Sequence, residues 1–461
     1  MQNKDDAANQ LGVKPVGELL LKFSIPAVSG MLVNALYNAV DRVFVGRGVN
    51  EDALGGLSLI MPLITISMAF AMLFGVGSAN MISMRLGQRK KAEAENALNH
   101  GFWLLLASSV FISVFEYIFL DDLLPLLGAR EGSRVIESAR DYFKIIIYGQ
   151  PFFLVGFGLS HSTRAQGFPV ISMIGMFLGA VLNTLLDPLF IFAFGWGVKG
   201  AALATIISQA ASAIWMLYFN LGNRAVINLR PFKVSFSKEI VFSILGFGSS
   251  QFLLQFMMSA VQLLLNTSMG WYGAKTLGAA NGGDSALSGM NIIGTFTMLF
   301  FMPVFGINQG AQPILGYNYG AGKFNRVRKA YLYAAAVSTC ICAVGFIWAQ
   351  FFPQTVVRIF APDGSETLYQ VTVTGMRIAS LVLPLNGFQI VSTNMFVVTG
   401  RPKISILLSL MRQCIVIIPA ILIFGRIWGL YGVVAAIPFA DAITFTVTFI
   451  LIIRELKKLK D

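Results

Sequence analysis

The sequence predicts an all-α integral membrane protein of twelve transmembrane helices arranged as two six-helix halves. Three observations carry this. Of the 461 residues 56% are hydrophobic and only 12% are charged, against about 25% charged in soluble domains, and the mean hydropathy is +0.71. Apolar runs of the roughly 20 residues needed to cross hydrocarbon recur along the whole chain. A segment of the first half also reappears in the second at a nearly constant spacing.

The first crossing, 17–46, follows the polar segment "MQNKDDAANQ" and contains Glu18, Lys22 and Asp41. It has no small-residue cleavage site, so a retained helix is expected and not a signal peptide. Its opening, "VGELLLKF", is expected to lie along the interface until Pro26 turns the chain inward. The second crossing, 53–84, leads into the basic loop "RLGQRKK", and the third, 99–120, and fourth, 136–160, place His100 and His161 near loops on the same side. The fifth, 169–194, follows "QGFP" and carries Asn183, Asp187 and Pro188; the sixth, 198–219, carries Thr205. The polar, basic stretch 220–239, broken by Pro231, reads as a linker, and six further crossings follow at 240–270, 285–316, 330–352, 367–397, 404–425 and 430–453. The expected organisation is therefore a tail at 1–15, an N-lobe at 16–219, the linker at 220–239, a C-lobe at 240–453 and a basic tail at 454–461. Cys340, Cys342 and Cys414 are read as small buried apolar residues, since a spacing of two on a helix disfavours pairing or chelation by the first two.

A net charge of +12 raises the question of a nucleic-acid partner, and the distribution of charge answers it. With the amino terminus in the cytoplasm and sides alternating, roughly 23 of the 34 Lys and Arg fall in cytoplasmic segments. "RLGQRKK", "GKFNRVRK" and "RELKKLK" all lie there. Both termini are expected inside, with basic loops against anionic lipid headgroups and no nucleic acid bound.

"GSANMISMRLGQRKKAEAENA", from Gly77, matches "GAQPILGYNYGAGKFNRVRKA", from Gly310, at an offset of 233. "QGFPVIS" at 166–172 meets "TGRPKIS" at 399–405 at the same offset, and "WGVKG" at 196–200 meets "WGLYG" at 428–432 one residue tighter. Six crossings are an even number, so the halves share one orientation. They form parallel repeats about an axis along the membrane normal, an arrangement that places a substrate path between them.

Intramembrane ionisable residues are costly and mark functional sites by default. At 1.5 Å per residue, Asp41, Asp187 and Thr205 lie at one depth, roughly 10 Å below the outer surface. Tyr37 with Asp41, and Asn183 with Asp187, are i, i+4 pairs that share a face. A polar pocket in the first half is expected, suited to binding and releasing a proton or holding Na⁺ at Asp41, Asp187 and Asn183; the alternative is a set of hydrogen-bonded groups that join helices. The second half offers a different polar set, Gln255, Gln262, Arg377, Asn386, Gln389, Arg412 and Asp441, and Asp441 is expected to pair with an arginine such as Arg412.

"LYNAVDRVFVG", "SMIGMFLGAVLNTLLDPLFIF", "GINQGAQPILGYNYGAG" and the duplicated Gly-x-Pro loops resemble the multidrug and toxic compound extrusion (MATE) family over essentially the whole chain. The resemblance implies a V-shaped pair of six-helix lobes that exports amphipathic, usually cationic compounds in exchange for H⁺ or Na⁺. It implies a cation site at Asp41 and Asp187 with Tyr37, Asn183 and Thr205 around it. Some branches of the family also use acids in the seventh and tenth helices, where this chain has none, around Gln255 and Asn386. No cofactor is expected, the working unit is expected to be a monomer, and the location is a bacterial inner membrane. A flippase for lipid-linked precursors shares the architecture but asks for several cavity arginines, of which Arg377 and Arg412 are the candidates. An intramembrane enzyme is disfavoured by the lack of an HExxH element and by "GGD" at 282–284 falling in a polar loop.

Overall fold

A computed structural model describes residues 4–48, 51–127, 134–233, 236–277, 282–362 and 365–459. Residues 1–3, 460 and 461 of the tails and 234 and 235 of the linker lie outside them. The described residues are helical almost throughout, as apolar segments must be where no water can satisfy backbone polar groups.

The helices in chain order are α1 (Lys4–Val13), α2 (Val16–Gly48), α3 (Glu51–Leu59), α4 (Met61–Gly87), α5 (Lys91–Leu126), α6 (Arg134–Ala165), α7 (Pro169–Pro188) and α8 (Gly197–Leu221). The second half has α9 (Lys238–Leu277), α10 (Gly282–Gly320), α11 (Phe324–Phe351), α12 (Pro353–Phe360), α13 (Glu366–Ala379), α14 (Leu383–Val398), α15 (Pro402–Leu410) and α16 (Ile417–Lys458). Among the described residues ten segments are long and apolar enough to span a membrane. Helices α13 and α14, bent by 50° at their junction, make one more. The segment Pro402–Lys458 is two spans: the rings of Phe424 and Phe439 meet edge to face with centroids 4.9 Å apart, where fifteen helical residues would separate them by about 22 Å. Gly429, at φ 61°, makes the fold-back. Twelve crossings result among the described residues.

Several details differ from the expectation. The chain does not turn inward at Pro26, because α2 continues through it as one helix of 33 residues. The N-terminal tail contains the helix α1, and the C-terminal tail continues α16 to Lys458. The linker is not wholly solvated, since Ala225, Val226, Ile227 and Leu229 are buried. "GGD" opens helix α10 and is not a loop. Only Cys342 is buried, Cys340 being exposed and Cys414 half-buried; all three are free. An outward-facing helix surface in lipid favours an apolar thiol as much as a core does, so sequence does not distinguish the two.

The duplication is visible in the backbone. Gly167 and Gly400, 233 apart, both take positive φ, 99° and 75°, and a proline two residues later begins the next helix in each half. Arg89 and Gly322, also 233 apart, share φ near 61° and 71°. The two halves meet through reciprocal glycine contacts. A Cβ on Gly87 would lie 2.0 Å from the Tyr317 carbonyl oxygen, and one on Gly320 would lie 2.1 Å from that of Met84. Met84 and Tyr317 are themselves 233 apart, so each contact is the other's image. Gly248 against Leu73 and Gly306 against Val28 form a second such pair.

All these contacts lie toward the end of the bundle that holds the basic loops and both tails. There one apolar core joins the halves, running from Leu19 and Phe23 through Ile82 to Ile314, Tyr331 and Phe396. Helix α1 closes the same end. Its last carbonyls accept from Lys323 Nζ (at Gly12, 2.8 Å) and Arg326 Nη2 (at Leu11, 3.1 Å) of the other half, cations placed at a helix C-terminus. At the opposite end the core divides into separate clusters, one around Val45, Leu57 and Ile136 and another around Leu265, Leu430 and Val433. The halves are thus joined at the basic end and splayed at the other, which is a V.

Candidate functional site

Between the arms, a cavity of about 1240 Å³, counted out to its open mouth, enters the N-terminal half. Asn34, Tyr37 and Asp41 of α2, Tyr142 and Gln150 of α6, and Thr205 of α8 line it. A second space of about 730 Å³ continues past Asn183 and Gln209 toward the aromatic wall of Phe153 and Phe157.

The sequence-predicted cluster does assemble. Asp41 and Asp187 are buried, and Asn183 with them. The Asp187 carboxyl lies within hydrogen-bonding reach of that of Asp41, and Asn183 Nδ2 donates to Asp187 Oδ1 at 3.2 Å. Two ionised carboxylates so placed repel strongly in a low-dielectric interior, so a proton or a small cation must lie between them. Asn183 Oδ1 and Asp187 Oδ2 are buried with no hydrogen-bond partner among the described residues. Among the described residues no group of three or more His, Cys, Asp or Glu could hold a metal ion; the oxygens available here are those of two carboxylates and an amide, all hard donors.

Thr205 shares this environment through Tyr142, whose hydroxyl is hydrogen-bonded to it and feels both aspartates and Tyr37. The sequence reading missed Tyr142, Asn34 and Gln209. A signal existed for two of them: Asn34, Tyr37 and Asp41 follow an i, i+3, i+7 stripe, and Gln209 is four residues beyond Thr205, on the same face. Tyr142 gave no such signal, because an amphipathic tyrosine in a helix usually marks packing. Helix α7 delivers Asn183 and Asp187 from its last turns; Pro188 then removes a backbone donor and the helix continues as a π-turn at Leu189–Ala193.

The second half behaves otherwise. Arg412 Nε donates to Asp441 Oδ1 at 2.7 Å and Asn386 Nδ2 to its Oδ2 at 2.7 Å, so the expected pairing of Asp441 forms. Gln389, one turn beyond Asn386, is buried. Arg412 and Asp441 correspond, at offsets of 233 and 232, to Gly179 and Gln209, which line the open space of the first half. The ion pair therefore stands where the other lobe has its pocket. Three predicted members lie elsewhere. Arg377 is exposed, its carbonyl accepting from Gln350 and Ser380. Gln262 bonds to Asn266 on its own helix. Gln255 faces across the cleft into the first half's cavity. Helical spacing fixes the face of one helix but not which neighbour it meets, and for that reason sequence alone does not say which of these residues gather around Asp441.

The MatE family model matches residues 26–189 and 252–422, one stretch in each half. The multidrug export protein MepA of Staphylococcus aureus (strain MRSA252) is 27% identical over 444 residues, covering 95% of this chain and 94% of that protein. A structure described as the outward-facing conformation of a multidrug resistance MATE family transporter superposes with a TM-score of 0.89 at 26% identity, covering 98% of each chain. A MATE structure in a bent conformation gives 0.89 at 26% identity, covering 100% of this chain and 98% of that one.

Proposed function

The chain belongs to the MatE family of multidrug efflux transporters, and on that premise we propose that it exports amphipathic cationic compounds in exchange for H⁺, or failing that Na⁺, with the coupling ion bound at Asp41 and Asp187. The observation that carries this reading is the closeness of those two carboxyls beside an open cavity that Asp41 lines.

The cycle follows from charge. With the V open to the outside, a proton entering the acid pair removes negative charge from the wall of the cavity and weakens its hold on a cationic guest, which leaves. The lobes then rock about the glycine seam and the cavity turns inward. Loss of the proton to the cytoplasm restores the negative charge and recruits the next guest. In the Na⁺ version Asn183 Oδ1 and the two carboxylates supply oxygen ligands. Exchange of a monovalent cation for one proton is electrically silent, so the chemical gradient drives it, about 1.4 kcal/mol or tenfold per pH unit. The basic loops at the end that holds both termini support a reading with that end in the cytoplasm of a bacterial cell. The lobes correspond to residues 16–219 and 240–453 about the linker, and one chain suffices for the cycle.

Equilibrium binding tests this. Titration of purified protein with a fluorescent cationic dye should show affinity that falls as pH falls, with that dependence lost in Asp41→Asn. Binding equally tight at acid and alkaline pH, in the presence and absence of Na⁺, contradicts exchange at this site.

A further inference from the structure

We propose that Glu116 is a second proton-carrying group of the cycle, so that two protons return for each cation exported, one on the Asp41–Asp187 pair and one on Glu116. This rests on the exchange reading above and extends it to a residue that reading does not use.

Glu116 lies in α5, 2% exposed. Its carboxyl accepts a hydrogen bond from Gln150 Nε2 of α6, and no charged group acts on it among the described residues. The surroundings on every packed helix bear this out. Beside it on α5 and α6 are Ser113, whose hydroxyl donates to the Ile147 carbonyl at 2.9 Å, and the tyrosine pair Tyr117 and Tyr148, ring centroids 6.3 Å apart. The charged residues of α6 stand at least six positions from Gln150, at Lys144 and earlier on one side and from His161 on the other. Asp121 of α5 is engaged by Arg140 at the rim. Helices α4 and α9 carry charge only near their ends, at Arg85 and at Lys238, Glu239 and Lys275.

A carboxylate in such surroundings, with no cation, is too costly to keep ionised, so the side chain holds its proton. Gln150 is the link to the cavity. It lines that space together with Tyr142 and Thr205 while its amide holds Glu116. An amide N–H donates to a carboxyl oxygen in either protonation state and favours the ionised one. When water of the inward-facing cavity reaches Gln150, the carboxyl becomes carboxylate and the proton leaves into that water; the outward-facing cavity returns it.

The test is the dye gradient sustained at steady state in Na⁺-free liposomes, with the membrane potential clamped at zero and one pH unit imposed. Two protons per monovalent dye sustain a gradient of about 100-fold and one proton about 10-fold. Wild type is expected near the first value and Glu116→Gln near the second; where the amide does not fold, Glu116→Met serves the same comparison. A wild-type gradient near 10-fold, or a near-100-fold gradient that survives loss of the acid, overturns the proposal and leaves the exchange reading intact. No gradient under the imposed pH unit, with one appearing when a Na⁺ gradient is imposed in a parallel set of liposomes, overturns the role of Glu116 while keeping exchange. One that ignores both ions overturns both.

Discussion

Asp41 and Asp187 come from helices far apart in sequence and end within hydrogen-bonding reach of each other. Replacing either by asparagine keeps the volume and the hydrogen bonding but fixes the charge. Asp41→Asn and Asp187→Asn are each expected to abolish gradient-driven export while the protein still inserts and folds, as resistance assays with matched membrane expression would reveal. Asp441 is a contrasting case. It already has Arg412 and Asn386 as partners, so Asp441→Asn strands a mostly buried guanidinium and should cost stability toward the low end of about 3–5 kcal/mol. Thermal denaturation should register that loss, and export per folded molecule should fall less than in either first-half variant. The acid layer was legible in the sequence because depth within a crossing is a count of residues, and a charge in an apolar run has few innocent explanations. Glu116 satisfies the same criterion and was passed over. Its i±4 neighbours on its own helix are Ile112 and Leu120, and Gln150, its hydrogen-bond partner among the described residues, belongs to the next helix.

The helices themselves were legible because a backbone in hydrocarbon has few alternatives, and the repeat because its loops need particular residues, a left-handed glycine and a proline two positions on. Breaks were less so. The 50° bend between α13 and α14 and the π-turns reflect packing against neighbours that pattern does not encode. The glycines of the lobe seam are an element-level constraint with a simple test. Gly87→Ala and Gly320→Ala each drive a methyl group into a backbone carbonyl of the opposite half, where neither side can yield cheaply. A loss of about 1–3 kcal/mol is expected for each, together with impaired export. Gly294, also on α10, meets nothing within 4 Å, and Gly294→Ala should leave export intact and raise stability by up to about 1 kcal/mol. Thermal shifts of the three variants side by side check the contrast.

The V follows from where the core is shared and where it divides, which no single helix reveals. If the lobes rock about the seam, fixing the seam must stop transport. Asn80 and Gln312 face each other across it, Gln312 Nε2 donating to Asn80 Oδ1 at 2.6 Å. Asn80→Cys with Gln312→Cys, in a chain whose three native cysteines are replaced, is expected to cross-link under oxidation and to halt export until a reductant is added. Export unaffected by the cross-link would mean that the basic end never opens. The exchange of ion for cation is tested by efflux of a cationic dye from loaded, ATP-depleted vesicles under an inward proton gradient and an inward Na⁺ gradient imposed in turn. Efflux driven by one of them, the proton first, and lost in both Asp41→Asn and Asp187→Asn, is the expected result. Efflux that requires ATP and ignores both gradients, or that persists in the two variants, would contradict ion exchange at this pair of acids.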